Sequence, residues 1–195
     1  MTKELQEIEQ EIIRLKEKRT EIRKREPREA IQNYTLQGPG DAVVTLSELF
    51  GERSDLLVIH NMGKGCPYCT LWADGLNGLL PHLEDRTAVV LVSPNAPQVQ
   101  AEFAAGRGWG FRMISAQNSP FTKDMGFAME DGGSGPGASA FHKNADGSIE
   151  RTGSTWFGPG DDYCSTWPLF EMLADGIHDW EPKYQYNPSP AAASA

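Results

Sequence analysis

Two cysteines spaced three apart, Cys66 and Cys69, stand in the stretch Gly63-Lys64-Gly65-Cys66-Pro67-Tyr68-Cys69. Such a pair can act as a redox dithiol, form half of a zinc site, or be two unrelated buried thiols. A structural zinc site needs four ligands, usually a second Cys-x-x-Cys or a close histidine pair. Only Cys164 and the scattered histidines His60, His82, His142 and His178 are left to supply them, so no metal site is expected and the dithiol is the stronger reading. Its chemistry would be thiol–disulfide exchange, in which a thiolate attacks a disulfide sulfur and the second cysteine resolves the mixed disulfide.

The flanking sequence says how such a pair would be held. The apolar run Leu56 to Ile59 predicts a strand, and the leucines and Trp72 after the motif recur at helical spacing. Cys66 therefore falls at a helix N-terminus, where unpaired N–H groups and the helix dipole favour a thiolate. Pro67 suits the first turn, because its missing N–H would have had no helical partner. Cys69 lies on the same face one turn along and is less stabilised as a thiolate, so Cys66 is the expected nucleophile. Gly65 allows close backbone approach, and with Pro67 and Tyr68 it forms the expected substrate-contacting set.

The motif resembles a thioredoxin-superfamily active site, with the tetrapeptide Cys66-Pro67-Tyr68-Cys69 of dithiol glutaredoxins. From about Tyr34 to Tyr186 the chain also resembles a bacterial thioredoxin-like family of unknown function. The matching residues are Thr45-Leu46-Ser47-Glu48-Leu49-Phe50, Val58-Ile59-His60, Gly65-Cys66-Pro67-x-Cys69, Trp72-Ala73-Asp74 and Gly137-x-Ser139-x-Phe141. The resemblance implies an α/β thioredoxin-like fold, a central mixed sheet flanked by helices, here with an added N-terminal helix. It also implies that Pro136 is the cis-proline that faces the dithiol and presents backbone to substrate. No cofactor is expected.

The rest of the chain is read in order. Leu5, Ile8, Ile12, Leu15 and Ile22 alternate spacings of three and four on a charged helix ending by Pro27, a short a/d seam. That seam should be buried, either on its own domain or in a homodimer. Short strands are expected at Asn33 to Gln37 and Val43-Val44, and Thr45 with Glu48 predicts a capping box. The helix after the motif should run over roughly 66–80, with Pro81 kinking or restarting it. Trp72 is expected in the core and His82 in solvent. Thr87 to Ser93 and Phe111 to Ala116 read as strands and 97–105 as a helix between them, while Ser119-Pro120 opens a short helix ending at Gly126. Ala138 to His142 and Ser148 to Thr155 make a hairpin. Ser165 or Thr166 starts a last helix whose buried face is Leu169, Phe170, Met172 and Leu173. Residues 178–187 are aromatic enough to pack on the body, and the Pro/Ser/Ala run of 188–195 has no means of burying itself. The division is thus 1–30 helix, 31–187 thioredoxin-like domain and 188–195 tail.

With 195 residues and 39% hydrophobic content the chain supports one core. Residues 1–28 carry nine Lys/Arg against seven Glu, a net of +2, so with −9 in total the remainder holds −11. Such a body repels phosphate backbones, which argues against nucleic acid as a partner. No signal-peptide core or membrane-length apolar stretch is visible, so a cytoplasmic protein is expected, and in that compartment a Cys-x-x-Cys is more often catalytic or metal-binding than a structural staple.

The function that follows is a thiol–disulfide oxidoreductase acting on a protein or small-molecule disulfide through Cys66 and Cys69. A thioredoxin-like binding or structural module without turnover remains a competing class. Peroxide reduction is a third, weakened because Gly63 stands where the Pro-x-x-x-Thr-x-x-Cys pattern of peroxiredoxins requires threonine. Glutathione use finds little support, since Lys64 is the only flanking cation and Gly160-Asp161-Asp162 only loosely echoes the later glutaredoxin motif. Cys164, beside Asp161 and Asp162, is expected to be a slow thiol without an obligatory role.

Overall fold

The structure, a computed structural model, describes residues 1–187. Among them, eight strands form one mixed sheet in the order β1 (Glu29–Ile31), β8 (Ile149–Trp156), β7 (Gly137–Lys143), β4 (Asp55–His60), β5 (Ala88–Ser93), β6 (Arg112–Ser115), β2 (Thr35–Gln37), β3 (Val43–Thr45). Its centre is the parallel trio β4 (Asp55–His60), β5 (Ala88–Ser93) and β6 (Arg112–Ser115). These strands are joined by the helices α3 (Pro67–Arg86) and α4 (Pro97–Arg107). β5 is the Val/Leu-rich run Ala-Val-Val-Leu-Val-Ser, buried from Val89 to Ser93, as a strand covered on both faces must be. The antiparallel hairpin β7 (Gly137–Lys143) and β8 (Ile149–Trp156) extends the sheet beside β4. β2 (Thr35–Gln37) and β3 (Val43–Thr45) close the other edge, and α2 (Leu46–Leu49) follows with the Thr45/Glu48 capping box in place.

Alternation along β4 divides the core in two. Leu56 and Val58 join Phe121 of α5 (Phe121–Asp124), Phe127, Phe141 and Ile114 on one side of the sheet. Ile59 joins Trp72, Leu91, Phe157 and Trp167 on the other, where α3 packs. This is an α/β thioredoxin-like fold. No helix among the described residues is long and apolar enough to cross a membrane.

Four features depart from the sequence reading. The edge strand β1 (Glu29–Ile31) pairs with β8 although no strand was expected there. α3 runs through Pro81 to Arg86 rather than restarting. Pro81 faces solvent, and water can hydrate the carbonyl its missing N–H leaves unpaired. The last helix, α6 (Thr166–Glu171), is shorter than expected and buries Trp167, while Leu169, Met172 and Leu173 are exposed. One indole fills the space that the aliphatic face was expected to fill. Lastly, α1 (Lys3–Arg23) buries no residue, so its seam is not covered by its own domain. It meets the body through Lys16 and Arg19, which both bond Asp162. The 188–195 tail lies outside the described residues.

Candidate functional site

β4 ends at His60 and delivers the chain to the motif through Asn61, Met62 and Gly63. Asn61 is the hinge of this loop. Its carboxamide oxygen accepts the Gly63 N–H at 2.7 Å, and its Nδ2 donates to the Cys69 carbonyl at 3.4 Å. Gly63 has φ 94°, and a Cβ there would meet Asn95 Oδ1 at 2.3 Å. Only glycine lets Asn95 come this close, and from that position Asn95 accepts the Lys64 N–H at 2.8 Å. The loop is thus clamped from both sides before the first cysteine.

Cys66 is the N-cap of α3 and Pro67 occupies the first turn, as expected. Its Sγ accepts the Cys69 N–H at 3.2 Å, while Cys69 Sγ accepts the Met62 N–H at 3.4 Å. Both thiols are free, Cys66 half-buried and Cys69 buried. The Cys69 thiol and the amides of Cys69 and Tyr68 bond the Cys66 sulfur and pull its pKa down to about 6, although partial burial opposes them. The same thiol–thiol bond and burial push Cys69 up, because a second negative charge beside the Cys66 thiolate is disfavoured. Two chemically equal side chains thereby become unequal: one is largely thiolate at neutral pH, and the other keeps its proton.

Behind the site, on the opposite side of the sheet from α3, His60 is buried with Nε2 2.9 Å from Ser139 Oγ and its ring stacked on Phe127 at 3.8 Å. Burial, and the positive charge of Arg151, lower its pKa to about 3, so it is neutral. The Gly137-x-Ser139-x-Phe141 triplet now has a physical account. A Cβ on Gly137 would strike the Phe127 ring and the Thr155 carbonyl, both at 2.3 Å; Ser139 meets His60; Phe141 fills the core.

The predicted residues separate as follows. Cys66, Cys69, Pro67 and Gly65 are brought together at the end of β4. Tyr68 turns to the aromatic shelf, its ring 6.3 Å from both Trp72 and Trp167. Pro136 precedes Gly137, which pairs with His60, so it sits at the level of the loop that carries the dithiol. The peptide bonds of the described residues are all trans, which corrects the expectation of a cis Gly135–Pro136 bond. The Pro136 carbonyl instead accepts the Phe157 N–H at 3.0 Å, committing that backbone to its own hairpin. Trp72 is core and His82 exposed, as read. Cys164 is buried beside the Trp72 and Trp167 cluster, and no group of residues able to hold a metal ion occurs among the described residues.

Sequence reasoning missed a clasp over the outer side of α3. Asp74 accepts both Arg107 and the Trp109 indole N–H, and Arg107 donates onward to the Tyr184 carbonyl at 2.8 Å. Partial burial raises the phenol of Tyr184, and the negative charge of the dithiol adds to it. The one available signal was Asp74 itself, inside the Trp72-Ala73-Asp74 triplet.

A family profile described as "Bacterial protein of unknown function (DUF899)" matches residues 1–189. No curated protein matches the chain. Among solved structures, reduced Prx3 from Vibrio vulnificus in complex with hydrogen peroxide is similar, with a TM-score of 0.55 and 19% identity over 68% of this chain and 88% of that one. A cysteine-to-serine mutant of peroxiredoxin Q from Xanthomonas campestris scores 0.51 at 17% identity, covering 63% and 78%. Peroxidoxin BcpB from Mycobacterium tuberculosis also scores 0.51, at 18% identity, covering 63% and 80%. At such identities the likeness speaks for the shared thioredoxin-like fold.

Proposed function

The chain belongs to this bacterial family of unknown function, and we propose that it is a thiol–disulfide oxidoreductase working through the Cys66/Cys69 dithiol. The observation that carries this reading is the asymmetry of the pair: a half-buried Cys66 held near a pKa of about 6 at the N-cap of α3, next to a buried Cys69 whose thiol is pushed up. A pair of incidental core thiols would show neither the exposure nor the division of charge.

In the proposed cycle the Cys66 thiolate attacks one sulfur of a substrate disulfide. A Cys66–substrate bond forms, the substrate S–S bond breaks, and the departing sulfur takes up a proton. Cys69 then loses its proton and attacks the Cys66 sulfur, which closes the Cys66–Cys69 disulfide and releases the second substrate thiol. The chain gives up two electrons and the single proton of Cys69, solvent supplies the proton taken up by the first departing sulfur, and an external dithiol must restore the reduced pair. Cys69 starts that second step protonated; once Cys66 is in the mixed disulfide, the charge that opposed its ionisation is gone. Gly65 and Pro67 leave the Cys66 side open to a substrate backbone. A cleft of about 740 Å³ between Gln117, Asn118, Lys123, Met129 and Glu130 shares with the site the Pro94-Asn95 loop that clamps Lys64.

The test is trapping. Cys69→Ser should accumulate mixed disulfides on Cys66 from a cell extract or a model disulfide, and Cys66→Ser should accumulate none. Equal adduct formation on Cys69 in the Cys66→Ser protein would reverse the assignment of the nucleophile. Failure of both variants to trap anything would remove the activity. Stoichiometric reaction of Cys66 with hydrogen peroxide, without reaction with disulfides, would move the protein to the peroxide-reducing class.

A further inference from the structure

The dithiol leaves α1 without a role. Its large aliphatic residues lie open to solvent: Leu5 is 44% exposed, Ile8 51%, Ile12 39%, Leu15 48% and Ile22 43%. The five share one stripe, interrupted only by Arg19, which is held by Asp162 of its own chain at 3.0 Å. We propose that this stripe is an interface between two copies of the chain, with the two α1 helices packed antiparallel.

Charge selects the occupant and the direction. Residues 1–11 carry a net −3 and residues 12–25 a net +5. A parallel pair would set acidic half on acidic half and basic on basic. An antiparallel pair sets each acidic half against the partner's basic half, the arrangement that flanking charges favour in paired helices. The same polarity also suits the macrodipole of a lone helix, but a lone helix has no use for five aliphatic side chains on one face. The stripe is also compatible with its own inversion. A two-fold axis between positions 13 and 14 places Leu5 opposite Ile22, Ile12 opposite Leu15, and Ile8 against the aliphatic stem of Arg19, so one surface serves both copies. Ile13, 57% exposed, lies well off the stripe and stays outside the contact.

Sedimentation velocity over a micromolar concentration series tests the pairing on the full chain. Wild type should sediment at twice the chain mass, and Ile12→Glu at the chain mass. Ile13→Glu, which adds the same charge to the same helix outside the stripe, should keep the doubled mass. Because α1 buries no residue, circular dichroism and Cys66 alkylation should be unchanged in both variants. A photo-cross-linking side chain at position 5, in a mixture of isotope-labelled and unlabelled chains, should link to residues 19–26 of the second chain. A wild type that stays at one chain mass throughout overturns the proposal, as does an Ile12→Glu protein that remains doubled. Links confined to residues 1–11 overturn the antiparallel arrangement. Binding of single chains to vesicles of anionic lipid through α1 would assign the stripe to a membrane surface instead.

Discussion

α1 and α3 are almost equal in length, 21 and 20 residues, and both carry aliphatic side chains at helical spacing, yet only one of them is part of the core. α3 buries Cys69, Thr70, Trp72, Ala73 and Leu80, whereas α1 buries nothing. Periodicity is therefore a statement about which face of a helix wants cover, not about what provides it. α3 is covered because a parallel strand delivers it and another receives it, so the connection itself lays the helix back on the sheet. α1 precedes the sheet, is tied to it only through β1, and touches the body through exposed ion pairs. The site follows the same division: its electrostatics come from the N-terminus of the covered helix.

The comparison can be broken most forcefully at Trp72. Its ring is 3% exposed, 5.7 Å from Phe157 and 6.3 Å from Trp167, so Trp72→Ala leaves a cavity behind the dithiol helix. The cost should be about 3–5 kcal/mol, a large share of a typical domain's stability of about 5–15. Urea unfolding at protein concentrations too low for pairing should show the midpoint falling steeply, whereas Leu15→Ala on α1 should leave it in place. Equal losses at the two positions would mean that α1 is part of the core after all.

Next in size is an acid effect that belongs to the sheet alone. His60 is held neutral with a pKa of about 3, against an ordinary value of 6.5 in the unfolded chain. Between these limits the unfolded state binds the extra proton, so stability is present above about pH 6.5 and drains away as pH falls toward 3. His60→Gln should flatten the slope across that window. It should also lower stability at neutral pH, since the ring stacked on Phe127 is lost. A slope as steep in the variant as in wild type would place the acid-sensitive group elsewhere.

These regions also differ in how far the sequence disclosed them. The parallel strands and the hairpin were legible because each is a run of β-formers bounded by turn residues, and the dithiol was legible because its spacing and the strand before it are local facts. β1 was not, since a three-residue edge strand exists only by pairing with β8, more than a hundred residues away. The face of α6 was misread because aliphatic count favoured Leu169 and Leu173, while the space on the sheet fits one indole. The Asp74–Arg107–Tyr184 clasp was invisible for the same reason: three segments meet only after the chain has folded.

That clasp gives a smaller prediction. Asp74→Asn removes the carboxylate that orients Arg107 and should loosen the segment around Tyr184, seen as faster amide exchange over residues 180–187. The Cys66 sulfur takes its stabilisation from Cys69 and the first turn of α3, so the midpoint of its pH-dependent alkylation should remain near 6. A midpoint displaced toward the ordinary value of 9.0 would show that the tail, and not the helix terminus, sets the reactivity of the thiol.

The smallest effect is expected from removing α1 altogether. A chain beginning at residue 25 keeps β1, every core side chain and the motif loop. It loses the bonds of Lys16 and Arg19 to Asp162, whose partners are all more than a third exposed. Exposed ion pairs are worth about 0–1 kcal/mol and are screened by salt, so at low protein concentration the melting temperature should move by no more than a few degrees, and by less in high salt. Concentration separates this from the role assigned to α1 in pairing. Mass action stabilises whatever state associates, so the melting temperature of the full chain should climb with protein concentration while that of the shortened chain stays level. A shortened chain that is far less stable at every concentration would mean that α1 supports its own body, and the contrast with α3 would disappear. Parallel, concentration-independent melting of both chains would instead leave α1 unpaired in either role.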